Sequence, residues 1–414
     1  MREDILANID NPQQLEKLYR ENKTAFKQTF NEVYPEIKDN QLATFWKERL
    51  NDDSSEISWG TTKDWSIIIL ATLLAGSIAK LPEILPMNEE FFYTRNISFI
   101  VFPFLAAYFV WKNNMPLKKI LILAFIIIAS CVFINLLPDN THSDTLMLSS
   151  IHLPLLLWSV LGFAFIAGNL KNYNKRLDFL RYNGDLIVMT TLILIAGIIL
   201  TGITIGLFSL IGLEIAQFYF DYFGIFGLAA APIIGTYITQ TNPQLVSKVS
   251  PIIAKIFSPL VLITLVVYLG AIIYSGKDPY NDREFLMTFN ALLIGVMAII
   301  LFAVAETSRS SKSQAGAIIL FLLSVVTVIV NGIAVSAILY RLTTMGITPN
   351  RLAVLGGNLL ILSNLFVITY RLFKTITQKG NIEEVEKSIA VFLPVYCIWT
   401  MVVTFIFPWL FLFK

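Results

Sequence analysis

Two apolar runs joined by a short polar link constrain this chain more than any other feature. They fill Ile318–Leu372 and fold around Tyr340-Arg341-Leu-Thr-Thr-Met-Gly-Ile-Thr-Pro-Asn350-Arg351. The first run, from about Ala315 to Tyr340, exceeds the roughly 20 helical residues that cross ~30 Å of hydrocarbon at about 1.5 Å per residue. Gly346 suits the left-handed conformation that ends a helix. Thr348 is a good N-cap, and Pro349 then occupies the first helical position, where a missing N–H costs nothing. The link is therefore expected to span only a few residues, and the two helices to be antiparallel neighbours.

Similar runs recur near 65–80, 96–112, 117–137, 151–170, 185–209, 223–240, 253–275, 285–306, 351–373 and 389–413, which with 315–340 makes about eleven. Charged residues are 14% of the 414, against about 25% in soluble proteins. The expected fold is an all-α polytopic integral membrane helix bundle over 63–414, preceded by a small soluble helical head over 1–62. The first two runs are the weakest. The first ends early at Lys80, Pro82 and Glu83, and the second contains Pro103, so a re-entrant or interfacial hairpin is the alternative there. Cys131 and Cys397 fall inside apolar runs and read as packing residues. The polar first 60 residues predict no cleavable secretory signal, so insertion is expected to begin at an internal span.

The head reads as three short amphipathic helices. One begins at Asn11-Pro12, a second is capped by Thr24 and stopped by Pro35, and a third is capped by Asp39 or Asn40. Leu42, Phe45, Trp46 and Leu50 form the apolar face of the third. The charges of the head are mixed, which disfavours a purely basic lipid anchor. Such a module either caps the first span or docks a cytoplasmic protein partner.

Loop charges set an orientation. With the head inside, fifteen lysines and arginines fall in inward segments and seven in outward ones. By the positive-inside rule the N-terminus is cytoplasmic and Lys414 exoplasmic. The net charge of +2 offers no basis for nucleic-acid binding. The lipid bilayer is the one partner that composition requires.

The link Tyr340-Arg341 to Gly346-Ile-Thr-Pro-Asn-Arg351, together with Asn281-Asp-Arg-Glu-Phe285 opening the span before it, resembles bacterial polytopic membrane proteins of the domain-of-unknown-function 4153 family. The likeness covers roughly Tyr280–Leu372. It implies a multi-pass protein of a bacterial (inner) membrane and no known activity.

Candidate functional residues follow from polar groups in apolar surroundings. Arg341 and Arg351 flank the link, beside Tyr340, and Arg351 opposes the helix dipole at an N-terminus. Three readings stand: an ion-pair clamp to Asp282 or Glu284, snorkelling to headgroups, or a pocket for a lipid phosphate or anionic solute. Ser324, Thr327 and Asn331 form a stripe on one helix face, and Asn290, Asn358 and Asn364 add amides nearby. These are either interhelical hydrogen bonds or the lining of a hydrated path. Glu306 and Arg309 are coupling candidates, or else a local surface pair, and Glu214 is expected at the interface. Gly227, Ala231 and Gly235, and Gly197 with Thr201, read as packing seams, with Pro232 a possible kink.

His142 and His152, with Asp139 and Asp144, match no metal-ligand spacing, so no metal is expected. No HExxH, GxSxG, P-loop or GxGxxG-helix pattern occurs, no cofactor is implied, and an enzyme is not expected. No internal repeat is evident. The leading functional expectation is a transport-type protein that binds or moves a small solute or lipid. The alternative is a non-catalytic scaffold or sensor acting through its head. A lipid-modifying enzyme that holds phosphate on Arg341 and Arg351 ranks third.

Overall fold

The structure, a computed structural model, describes residues 1–414 apart from 53–59, 86, 141, 247–248, 276–279, 281–282, 308–313 and 378. Residues 21, 23–24, 51–52, 273, 275, 283–285, 287–288 and 307 are described by their backbone alone. The chain divides into two units, Met1–Trp59 and Gly60–Lys414.

The first unit holds four helices: α1 (Arg2–Ala7), α2 (Pro12–Glu21), α3 (Lys23–Ile37) and α4 (Gln41–Asp52). Three were expected, and the short α1 adds Ile5 to the core. Asn11 caps α2 with Pro12 in the first turn. Asn22, and not Thr24, caps α3 by accepting from the Ala25 N–H. The helix continues past Pro35 to Ile37. Asn40 Oδ1 caps α4 through the N–H groups of Leu42 and Ala43. Tyr19, Phe26 and Trp46 form an aromatic centre with ring centroids 5.2–5.7 Å apart. Phe45, expected on the buried face, is 61% exposed, because the neighbouring Trp46 takes the core-facing position. Glu16 bridges Arg20 and Arg49 at 2.7 Å each. Hydrogen bonds first from Arg20 and then from Arg49 hold its carboxyl below the usual glutamate range.

The second unit is an all-α bundle, and no strand occurs among the described residues. Among the described residues, eleven helices are long and apolar enough to cross a membrane. They are α5 (Thr62–Ala79), α6 (Glu89–Lys112), α7 (Leu117–Leu136), α8 (Asp144–Phe165), α9 (Tyr173–Leu210), α10 (Ala216–Thr241), α11 (Val249–Ser275), α12 (Arg283–Thr307), α13 (Gln314–Met345), α14 (Pro349–Ile376) and α15 (Ile382–Leu410). The chain is a multi-pass membrane protein. Both weak runs are membrane-length helices. α6 starts earlier than expected, at Glu89, and passes through a 3-10 turn at Ile97–Ile100 just before Pro103, which cannot supply the next helical N–H.

Two large cores, with three smaller clusters beside them, hold the bundle among the described residues. One gathers α5–α10 around Leu105, Phe109, Leu161, Phe179 and Tyr182. The other gathers α9 and α11–α15 around Phe289, Ile300, Leu323, Leu365 and Ile389. α9 joins them, giving Phe179 and Tyr182 to the first and Leu177 and Leu180 to the second.

The hairpin α13–α14 has the expected chemistry. Gly346 has φ +80°, Thr348 Oγ1 accepts from the Arg351 N–H, and only three residues separate the helices. Ala231 and Gly235 do pack closely: a Cβ at Gly235 would sit 2.9 Å from Thr190 Oγ1. Gly197 and Gly227 do not, because nothing lies within 4 Å of where their Cβ would be. Pro232 lies within α10 and Glu214 in the exposed link before it.

Candidate functional site

A chamber of about 310 Å³ lies among α8, α12, α14 and α15 and opens sideways, since Leu155 and Ile294 of its lining are 46% and 60% exposed. Its walls are mostly apolar, with Leu155, Ile294, Met297, Val354 and Ile361 prominent. Polar groups enter from each helix: His152 and Ser159, Asn290, Asn358, and Tyr396, Trp399 and Thr400. These positions fall near the middle of α8 and α15, in the first third of α12 and in the first half of α14.

The amides form a linked set. Asn358 Nδ2 donates to Asn290 Oδ1 at 2.6 Å, and Asn290 Nδ2 donates to the Leu286 carbonyl. Asn331 Nδ2 donates to the Asn358 carbonyl at 3.2 Å. Asn364 Nδ2 donates to the Tyr396 hydroxyl at 3.0 Å. His152 Nδ1 lies 2.9 Å from the Leu148 carbonyl, which fixes the N–H on that nitrogen and leaves Nε2 an acceptor. Three buried polar atoms around the chamber have no hydrogen-bond partner: Trp399 Nε1, Asn331 Oδ1 and Asn364 Oδ1. Trp399 Nε1 is beside Gly357, 3.9 Å from where that residue's Cβ would be. Gly356 is what admits the indole, since a Cβ there would lie 2.1 Å from Trp399 Cη2.

Of the predicted stripe, Ser324 and Thr327 take no part in the chamber. Each donates to its own helix, to the Phe321 carbonyl at 2.8 Å and the Leu323 carbonyl at 2.6 Å, and both are sealed from solvent. Asn331 reaches it only through Asn358. The stripe is thus buried against α14 and neighbouring helices and does not line an open path.

The two arginines of the link separate in role. Arg351 Nη1 donates to the Met345 and Gly346 carbonyls at 2.8 and 2.7 Å. It sits at the negative end of α13, so the dipole opposition expected from its own helix is offset by the preceding one. Arg341 is 7% exposed near Leu286, Ala337 and Ile338, and its Nη1 has no hydrogen-bond partner. Asp282 lies outside the described residues, as does the side chain of Glu284, so the clamp involves positions on which the structure is silent. Tyr340 packs edge-on to Tyr280 at 5.7 Å.

A second polar assembly sits at the other ends of α9, α12 and α15. Arg181 donates from Nη2 to Glu386 Oε1, from Nε to the Ala305 carbonyl and from Nη1 to Asp178, each at 2.9 Å. The side chains of Arg181 and Glu386 are 15% and 8% exposed. Glu306, next in sequence to Ala305, is 1% exposed, while Arg309 lies outside the described residues. Sequence reasoning missed this assembly. It began the span at 185, whereas α9 starts at Tyr173, capped by Asn172, and carries Arg181 inside the bundle. Arg95, one of the seven outward charges in the orientation count, is likewise not a loop residue but lies inside α6. It is 2% exposed and donates to the carbonyls of Ile134, Leu137 and Pro138 and to Asp139, closing the end of α7.

No metal cluster of His, Cys, Asp or Glu occurs among the described residues. His142 stands in the loop before α8, and His152 faces the chamber a helical stretch away. The chamber offers hydrogen bonds in an apolar, side-opening pocket, with no paired nucleophile and base among its described lining residues. Among the protein-family models, the curated proteins and the solved structures, none matches this chain.

Proposed function

We propose that this chain is a transport-type membrane protein whose side-opening chamber binds a largely apolar molecule bearing one or two hydrogen-bonding groups. The observation that carries the reading is the polar groups of this apolar, side-opening pocket of about 310 Å³: the unpartnered Trp399 Nε1 and the acceptor Nε2 of His152. Buried polar atoms rarely go without partners, and a bound ligand atom would supply one. The volume lies at the low end of small-molecule sites, roughly 300–1,000 Å³. A bulk polar solute fits poorly, since Ser324 and Thr327 are closed off.

The lysine and arginine asymmetry supports a cytoplasmic Gly60 end and an exoplasmic Lys414. The resemblance of Tyr280–Leu372 supports a bacterial inner membrane.

The test is photolabelling of purified protein in nanodiscs with a diazirine-bearing long-chain alcohol, mapped by mass spectrometry. Label is expected on the chamber faces of α8, α12, α14 and α15, and Gly357→Leu is expected to remove it while the protein stays monodisperse. Label confined to lipid-facing residues, or unchanged in the Gly357→Leu variant, would refute the reading.

A further inference from the structure

A second cavity lies on the other side of the wall made by Trp158, Ser159 and Leu393, which line both spaces. It is a cleft of about 320 Å³ between α7 and α15, floored by α8. Ile122 and Ile398 at its lips are more than two-fifths exposed, so it opens sideways toward lipid. Along α8 it runs from Leu156 to Ile166, ten residues or about 15 Å at ~1.5 Å per residue. That depth is about half of a ~30 Å hydrocarbon core, the thickness of one leaflet.

One end of the cleft is charged. Arg176, in the first turn of α9, donates from Nη1 to the Ala390 carbonyl at 2.8 Å. Its Nε–H is buried and has no acceptor. The Nε edge of a guanidinium is one of those that take an oxyanion in a two-pronged grip, and here it is desolvated and unused. Lys118, one helical turn before Ile122, and Lys171, next to Leu170 of the cleft, are exposed at the same end. No acidic side chain lines the cleft.

We infer that this cleft is a binding site for an anionic phospholipid, with one acyl chain along Ile122, Ile126 and Ile398 and the phosphate on Arg176. Apolar area alone would bind any acyl chain. The orphan donor adds a preference for a phosphate that carries uncompensated negative charge. The site is separate from the chamber between α8, α12, α14 and α15, and its assignment does not depend on what that chamber binds.

Cys397 lines the cleft and provides a reporter. In a Cys131→Ser background, alkylation of Cys397 by a membrane-permeant maleimide is measured in micelles supplied with phosphatidylglycerol, phosphatidylcholine or inorganic phosphate. Phosphatidylglycerol is expected to protect at about tenfold lower mole fraction than phosphatidylcholine, because either phosphate can accept the Arg176 N–H but the choline cation offsets the charge of the latter. Inorganic phosphate is expected to give no protection. Arg176→Gln is expected to equalise the two lipids. Ile122→Trp, which fills the cleft from its exposed lip and leaves Arg176 untouched, is expected to abolish protection by either. Equal protection by both lipids in the parent protein, protection by phosphate alone, or a phosphatidylglycerol preference that survives Arg176→Gln would each overturn the assignment.

Discussion

Removing Arg181 tests how much of the bundle depends on charge rather than on packing. In the native state its guanidinium satisfies Glu386, which is 8% exposed, together with the Ala305 carbonyl and Asp178. Asp178 is 54% exposed, so losing its contact costs little, about 0–1 kcal/mol. Glu386 is different. An Arg181→Met change leaves its carboxylate enclosed without its cation, a situation that costs roughly 3–5 kcal/mol. Replacing both partners, Arg181→Met with Glu386→Met, removes the stranded charge along with the pair, and well-packed apolar substitutes for a buried pair are often close to neutral. The expected result is a single variant destabilised by about 3–5 kcal/mol, a double variant near the parent, and a coupling energy of about 3 kcal/mol. Denaturant unfolding in mixed micelles, followed by tryptophan fluorescence, measures it. A double variant as unstable as Arg181→Met would refute the reasoning, as would a single variant losing under about 1 kcal/mol.

Asn358→Leu removes the amide that donates to Asn290, and is expected to cost about 0.6–1.7 kcal/mol in the same unfolding assay; no change would mean the pair is energetically idle. Gly356→Ala places a methyl within the Trp399 ring, so a loss of about 1–3 kcal/mol and a shifted tryptophan emission maximum are expected, and an unchanged spectrum would contradict the packing. Glu16, whose carboxyl is held below its ordinary range by Arg20 and then Arg49, stabilises the head fully above the unfolded glutamate value of about 4.3. That contribution is lost as pH falls through the lower folded value. Hydrogen exchange of α2 in the full chain is therefore expected to separate Glu16→Gln from the parent at neutral pH and to converge in strong acid. A gap that widens on acidification would reverse the sign.

Helices were legible where hydropathy or local capping marks them. Eleven apolar runs announced eleven helices of membrane length, and Gly346, Thr348 and Pro349 announced a turn whose geometry depends on neighbours within a few residues. What stayed hidden depends on distant partners. Tyr173–Asp185 looks like a charged loop because nothing local shows that Arg176 and Arg181 bond carbonyls of α15 and α12 more than a hundred residues away. Phe45 and Trp46 are adjacent, and only the position of α2 and α3 decides which is enclosed. Asn290 and Asn358 were visible as polar residues in apolar spans, but their pairing and the chamber beside them are products of tertiary packing. Trp399 and His152 gave no signal as a pair, since they are separated along the chain and meet only through the arrangement of α8 and α15.

Arg351 reaches back across its own turn to the last carbonyls of α13, and this has a bearing on assembly. A membrane turn ordinarily leaves helix-end dipoles that must be hydrated or answered by later segments. Here the cation that answers them arrives three residues into the next helix, before any other part of the protein is needed. The turn can thus enter the bilayer with its helix end already answered by its own side chain, whereas the surroundings that bury Arg341, whose Nη1 has no hydrogen-bond partner, come with the rest of the bundle.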